Sequence, residues 1–171
     1  MDDISKSIGI SKKTIYQYFE NKRSLISEVI DDHILKDEND VKIIIAKSQD
    51  AINEIIEIAR HVLQFLKGMS PTMMHDTRKY YPRQWEKVES KHFSFIRNII
   101  KSNIERGQNE GLYHSDVNSE IISRMYVRLV LAIADESTFP SNEYNRGELY
   151  KTFITYHIRG ILSDKGRKKA R

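Results

Sequence analysis

The chain has no cysteine, one tryptophan, three prolines and seven glycines in 171 residues. Without cysteine there are no disulfides, thiolate metal sites or cysteine nucleophiles, which suits a reducing compartment. The scarcity of proline and glycine excludes collagen-like and low-complexity chains and leaves few breaks in long helices. No apolar run approaches the ~20 residues of a membrane span. The N-terminus is acidic and amphipathic and carries no apolar signal-peptide segment, so a cytoplasmic location is expected. H-E-x-x-H, G-x-S-x-G, P-loop and G-x-G-x-x-G patterns are all missing. No metal, no cofactor and no enzymatic activity are expected on that ground.

What the chain does have is charge and helical periodicity: 30% of residues are charged and 39% hydrophobic, as in a soluble helical protein. Its length suffices for one or two domains with a real core. The net charge of +4 is unevenly placed. Lys165, Arg167, Lys168, Lys169 and Arg171 supply +5, so residues 1–164 sum to −1. A second basic excess lies at the front, in Lys6, Lys12, Lys13, Lys22 and Arg23 against Asp2, Asp3 and Glu20. The body is therefore no general polyanion binder, and affinity for nucleic acid is expected from the front.

The front reads MDDISKSIGISKKTIYQYFENKR. Asp2 and Asp3 suit the first turn of a short helix, and Ile4 and Ile8 give it an apolar edge at i, i+4. Gly9 supplies a sharp turn, and Ile10 is expected to point inward. Ser11 is an N-cap for a second short helix whose buried side is Ile15 and Phe19. Two lysines, Lys12 and Lys13, in a helix first turn oppose the macrodipole unless a phosphate backbone lies nearby. Gln17 can bond an adenine edge, Thr14 can meet a thymine methyl, and the Tyr16 and Tyr18 hydroxyls can reach phosphates. Asn21 caps the next helix and puts Lys22 at its N-terminus, as a phosphate clamp. The competing reading is a solvated turn between two ordinary helices.

MDDISKSIGISKKTIYQYFENKRSLI resembles the DNA-binding segment of TetR-family transcriptional regulators. The resemblance is carried by Ile4, Gly9, Ile10, Ser11, Ile15, Tyr16, Tyr18, Phe19, Asn21, Lys22 and Leu25. Ser5 stands where the family often has Ala, and Lys13 where it often has Gly. Looser similarity extends to Lys79–Trp85 and Arg159–Gly166. The resemblance implies an all-α fold, with a helix-turn-helix segment joined to a helical ligand-binding and dimerisation body. It implies a homodimer on a pseudo-palindromic double-stranded operator, and a repressor released by a small-molecule effector. The family has a further helix before this segment. Starting at Met1 inside the second helix, this chain is expected to have a mobile front end and weak or absent DNA binding.

Apolar spacing predicts a connecting helix from Lys22 to about Ala46, polar and prone to kink at Asp37–Asp40. The expected organisation is residues 1–46 as the DNA-binding region and connector, 47–164 as the regulatory and dimerisation domain, and 165–171 as a basic tail, read as a solvated extension. Within the body, Asp50 caps a central helix to Lys67, apolar on several sides. Ser70-Pro71 opens a short helix to Lys79, and Pro82 opens a long one to Gly107. Gln108–Asp116 is a loop. Asn118 caps a helix through Ala134, and a last helix begins between Asn142 and Asn145 and carries Ile161. These last two are apolar on more than one face, so a second copy is expected on Ile122, Met125, Leu129, Ile133, Tyr150, Phe153, His157 and Ile161. Both faces could instead be used within one chain. In the family a cavity between the central helices takes the effector, which implies Phe65, Met69, Met73, Trp85, Phe93 and Tyr126 as its lining here, with Met74 nearby. Such residues also make plain core. His61, His75, His92, Arg124 and Arg128 are the polar groups available to orient a ligand. The alternatives are a helical ligand-sensing or protein-interaction module that no longer binds DNA, and, with only scattered His and Arg behind it, a small helical enzyme.

Overall fold

The computed structural model describes residues 1–68, 70 and 72–170. Met69, Pro71 and Arg171 lie outside the described residues. These include one expected ligand-lining residue, the expected helix-opening proline and the last of the tail cations. Among the described residues the chain is all-α, with one isolated backbone bridge between Tyr113 and Leu162. The helices are α1 (Asp2–Ile8), α2 (Lys12–Tyr18), α3 (Lys22–Lys47), α4 (Ala51–Gly68), α5 (Met73–Tyr80), α6 (Pro82–Lys87), α7 (Phe93–Asn109), α8 (Ser119–Ala134), α9 (Arg146–Ile161) and α10 (Asp164–Lys169). They form two compact units, residues 1–37 and 38–171. The division falls inside α3, ahead of the boundary expected at residue 46. Val41 is already buried, and Asp37–Asp40 stays helical, with Glu38 and Lys42 paired one turn apart at 3.9 Å.

In the first unit α1 ends at Gly9, whose φ of 71° is the left-handed value that glycine adopts without strain. The Ile10 N–H closes the turn on the Ser5 carbonyl at 3.1 Å. Ser11 caps α2 by accepting the Thr14 N–H at 3.0 Å. Ile15 is buried and Phe19 half-buried, as the i, i+4 spacing requires. Ile10 departs from expectation: it is 41% exposed, beside an exposed Ile8.

The second unit is built on α4. Ile55 of α4, Ile100 and Ile104 of α7, and Tyr150 of α9 are completely buried and share one core with Tyr126 and Ile133 of α8. Each such isoleucine contributes roughly 2 kcal/mol of apolar burial. The start of α4 is closed by side chains from far along the chain. Asp50 Oδ1 accepts the Asn53 N–H at 2.9 Å, and the Glu110 carboxylate accepts the Ala51 N–H at 2.9 Å. Arg106 donates to Glu54 at 2.7 Å and to Glu110 at 2.8 Å, and the Asn103 amide donates to the Ala51 carbonyl and to Glu54. Buried polar groups persist only when satisfied in this way.

Three connections differ from the sequence expectation. The helix opened by Pro82 is interrupted by a π-helical turn, Val88–His92, before α7. The loop after α7 carries a buried anchor, Tyr113, whose ring lies so close to Gly107 that a Cβ there would sit 2.1 Å from it. The described part of the basic tail is helical and anchored at points, with Lys165, Arg167, Lys168 and Lys169 exposed. Ser163 caps α10, Gly166 is buried against the Leu112 carbonyl, and Lys165 and Lys169 bond the Glu110 carbonyl and Asp50, each at 2.7 Å. A glycine amid the charges permits that close approach.

Candidate nucleic-acid interface

The interface begins with Ile15. Its burial fixes the orientation of α2, and the 3.6-residue period then assigns every other side chain. Lys13 and Gln17 fall opposite Ile15 and point straight out. Lys12 and Tyr16 form one flank, Thr14 and Tyr18 the other. Lys12, Lys13 and Gln17 are exposed, Thr14 is half-exposed, and Tyr16 and Tyr18 are 50% and 77% exposed.

Two contacts refine these roles. The Thr14 hydroxyl lies 2.8 Å from the Ser11 hydroxyl, so it is committed to the cap, and its methyl is the part left to meet a partner. Lys12 is ion-paired with Asp2. The Lys12 ammonium beside Asp2 holds that carboxyl below the ordinary carboxylate range. The Lys12–Asp2 contact was not visible in residue spacing, because it depends on how the turn at Gly9 brings α1 beside α2.

Lys22 is the first residue of α3 and is exposed. Asn21 caps that helix, its Oδ1 accepting the N–H groups of Arg23 at 2.9 Å and Ser24 at 3.0 Å. Ser24 returns the favour through its hydroxyl, which donates to the Asn21 carbonyl at 2.8 Å. The cap holds Lys22 at the positive end of a 26-residue helix. Anion contact there fits helix N-terminal geometry.

The expected effector residues divide into two places. Trp85 and Phe93 meet edge to face at 5.9 Å across the π-turn, with Phe65 half-buried and Met73 39% exposed. Tyr126 sits elsewhere. It is fully enclosed between α8 and α9, its hydroxyl 2.7 Å from that of Tyr150 and its ring against Phe153 and His157. Arg124 pairs with Glu120 on the surface, Arg128 and His75 are exposed, and His92 lies in the π-turn.

The expected dimer residues also divide. Ile133, Tyr150, His157 and Ile161 are buried in the chain's own core, because the stripe through positions 150, 154, 157 and 161 is the inner face of α9. Ile122 and Phe153 are half-buried. Met125 and Leu129 remain 52% and 41% exposed, and Ile121 and Tyr156, which were not among the expected dimer residues, are 55% and 75% exposed. A shallow groove of about 680 Å³ runs along this outer side of α9, past Thr152, Tyr156 and Gly160.

Residues 1–29 match the model for bacterial regulatory proteins of the tetR family. The chain is 18% identical over 170 residues to the uncharacterized HTH-type transcriptional regulator YvaF of Bacillus subtilis, covering 96% of this chain and 86% of that one. Among solved structures, the reduced form of NemR from E. coli superimposes with a TM-score of 0.71 at 12% identity, covering 95% of this chain and 86% of that one. The ketosteroid transcriptional regulator KstR2 of Mycobacterium tuberculosis gives 0.69 at 12% identity, with 95% and 84% covered. A transcriptional regulator from Cytophaga hutchinsonii gives 0.68 at 18% identity, with 95% and 88% covered. The likeness in fold thus runs through the body as well as the front.

Proposed function

We propose, from the premise that the N-terminal segment of this chain belongs to the tetR family of bacterial regulatory proteins, that the protein is a sequence-specific DNA-binding regulator of transcription and acts as a repressor. The observation that carries this reading is the outward row on α2. Lys13 and Gln17 stand opposite the buried Ile15, flanked by exposed aromatics. A helix so furnished suits the major groove, with Gln17 and the Thr14 methyl toward base edges and Lys12, Lys13, Tyr16, Tyr18 and Lys22 toward the backbone.

The protein acts as a homodimer in the cytoplasm, each α2 reading one half of a pseudo-palindromic operator. Half-sites then lie roughly one helical turn, ~34–36 Å, apart or at a multiple of it. The partner copy is seated on Ile121, Met125, Leu129 and Tyr156, which are exposed on α8 and α9. A small molecule held near Phe65, Trp85 and Phe93 favours one of two head spacings and lowers operator affinity by that differential.

Selection from a random duplex pool tests this. The expected outcome is an enriched inverted repeat bound in a salt-dependent way. Gln17→Ala relaxes base preference, whereas Lys22→Ala weakens binding to all duplexes and flattens the salt slope by about one. A pool that yields no enrichment and no salt dependence overturns DNA binding and leaves a ligand-sensing helical module.

A further inference from the structure

Of the cations at the front, Lys12 stands apart. Among the described residues Lys13 and Lys22 have no ion-pair partner, whereas Lys12 is in contact with the Asp2 carboxylate. Asp3, next in the chain, pairs with nothing among the described residues. The first turn of α2 holds no acidic residue of its own, so the neutralising charge comes from another helix. Both members of the pair are open to water, with side chains 48% and 64% exposed. An exposed pair of this kind contributes little to stability. Its effect on an approaching polyanion is larger, since it removes one cation from the count that neutralises phosphates and releases counterions.

We propose that Asp2 is an internal stand-in for a DNA phosphate, keeping the Lys12 ammonium paired and suppressing binding to duplexes that lack the operator sequence. This rests on the reading of α2 as the DNA-facing helix. The Asp2 carboxyl is depressed first of all by its hydrogen bond from Lys12, so the carboxylate is present throughout the neutral range. On a non-operator duplex a phosphate must displace Asp2 to reach Lys12, and no base contact rewards the exchange. On the operator, contacts from Gln17 and Thr14 fix the register and hold a phosphate against Lys12. Asp2 therefore acts on the ratio of specific to non-specific affinity more than on either alone.

The test is fluorescence anisotropy with a labelled duplex of scrambled sequence, read across a salt series for the full chain. Asp2→Asn is expected to steepen the log–log salt slope by ~0.9 and to raise affinity roughly eightfold at 0.1 M salt, the value of one added phosphate contact. Asp3→Asn, which removes the same charge without touching an ion pair, leaves the slope unchanged. Lys12→Ala abolishes the gain when combined with Asp2→Asn. In the free protein, NMR titration of the Asp2 carboxyl shows the depression, and Lys12→Ala relieves it. Equal slopes in the parent and Asp2→Asn, or equal shifts from Asp2→Asn and Asp3→Asn, overturn the proposal alone. Absence of salt-dependent binding in every variant overturns the DNA-binding reading with it.

Discussion

His157 shows how far a single environment governs chemistry here. Its ring lies between Tyr126 and Phe153, it is 8% exposed, and its Nε2 has no hydrogen-bond partner among the described residues. Burial disfavours the charged form and pushes its pKa down to about 4 from 6.5. The folded state therefore stays neutral while the unfolded chain takes up a proton below pH 6.5. Stability is whole above that value and is lost as pH falls toward 4, to a total of ~3 kcal/mol. Urea midpoints measured from pH 7 to pH 4 are expected to fall in the parent, and to fall less in His157→Phe, which keeps an aromatic ring in the same slot.

Helices show which features can be read locally and which cannot. Ser11, Asn21, Asp50 and Asn118 all cap as their positions suggested, because a cap is a contact within three residues. The row on α2 was likewise legible, since Ile15 and Phe19 alone orient it. The inner and outer stripes of α8 and α9 were not separable. Both are apolar, and only the packing of Tyr126 against Tyr150 tells which faces in. The docking of α10 depends on partners more than fifty residues away. For α10 the missed signal was Ser163 followed by Gly166, a cap and a small residue inside a run of charge. A six-residue helix does not hold by itself. Gly166→Ala would place a Cβ 2.1 Å from the Leu112 carbonyl oxygen and so displace α10. The expected cost is about 1–3 kcal/mol. Limited trypsin digestion checks it, by faster cleavage in the variant at Lys165, Arg167, Lys168 and Lys169 ahead of any loss of the remaining helices.

For the whole molecule the decisive surface is the outer side of α8 and α9. Ile121, Met125, Leu129 and Tyr156 stand exposed beside a core that is already closed without them. Their loss therefore costs the fold little, whereas a partner copy would depend on them. The double variant Met125→Lys, Tyr156→Lys is expected to keep the helical circular-dichroism spectrum and the parent's melting midpoint at low concentration. Sedimentation should show the dimer weakened by roughly 100-fold or more, the size of effect that central interface residues carry. A double variant that sediments like the parent would place the partner elsewhere.

The start of α4 has a further consequence. The Ala51 N–H, which in most helices would be among the first to open to water, is held by a carboxylate 59 residues later in the chain. The carbonyl of the same residue is bonded by Asn103 and Tyr113. Fraying at this end is therefore not a local event. The first turn of α4 can loosen only when the end of α7 and the Tyr113 anchor loosen with it, so three distant segments share one opening equilibrium.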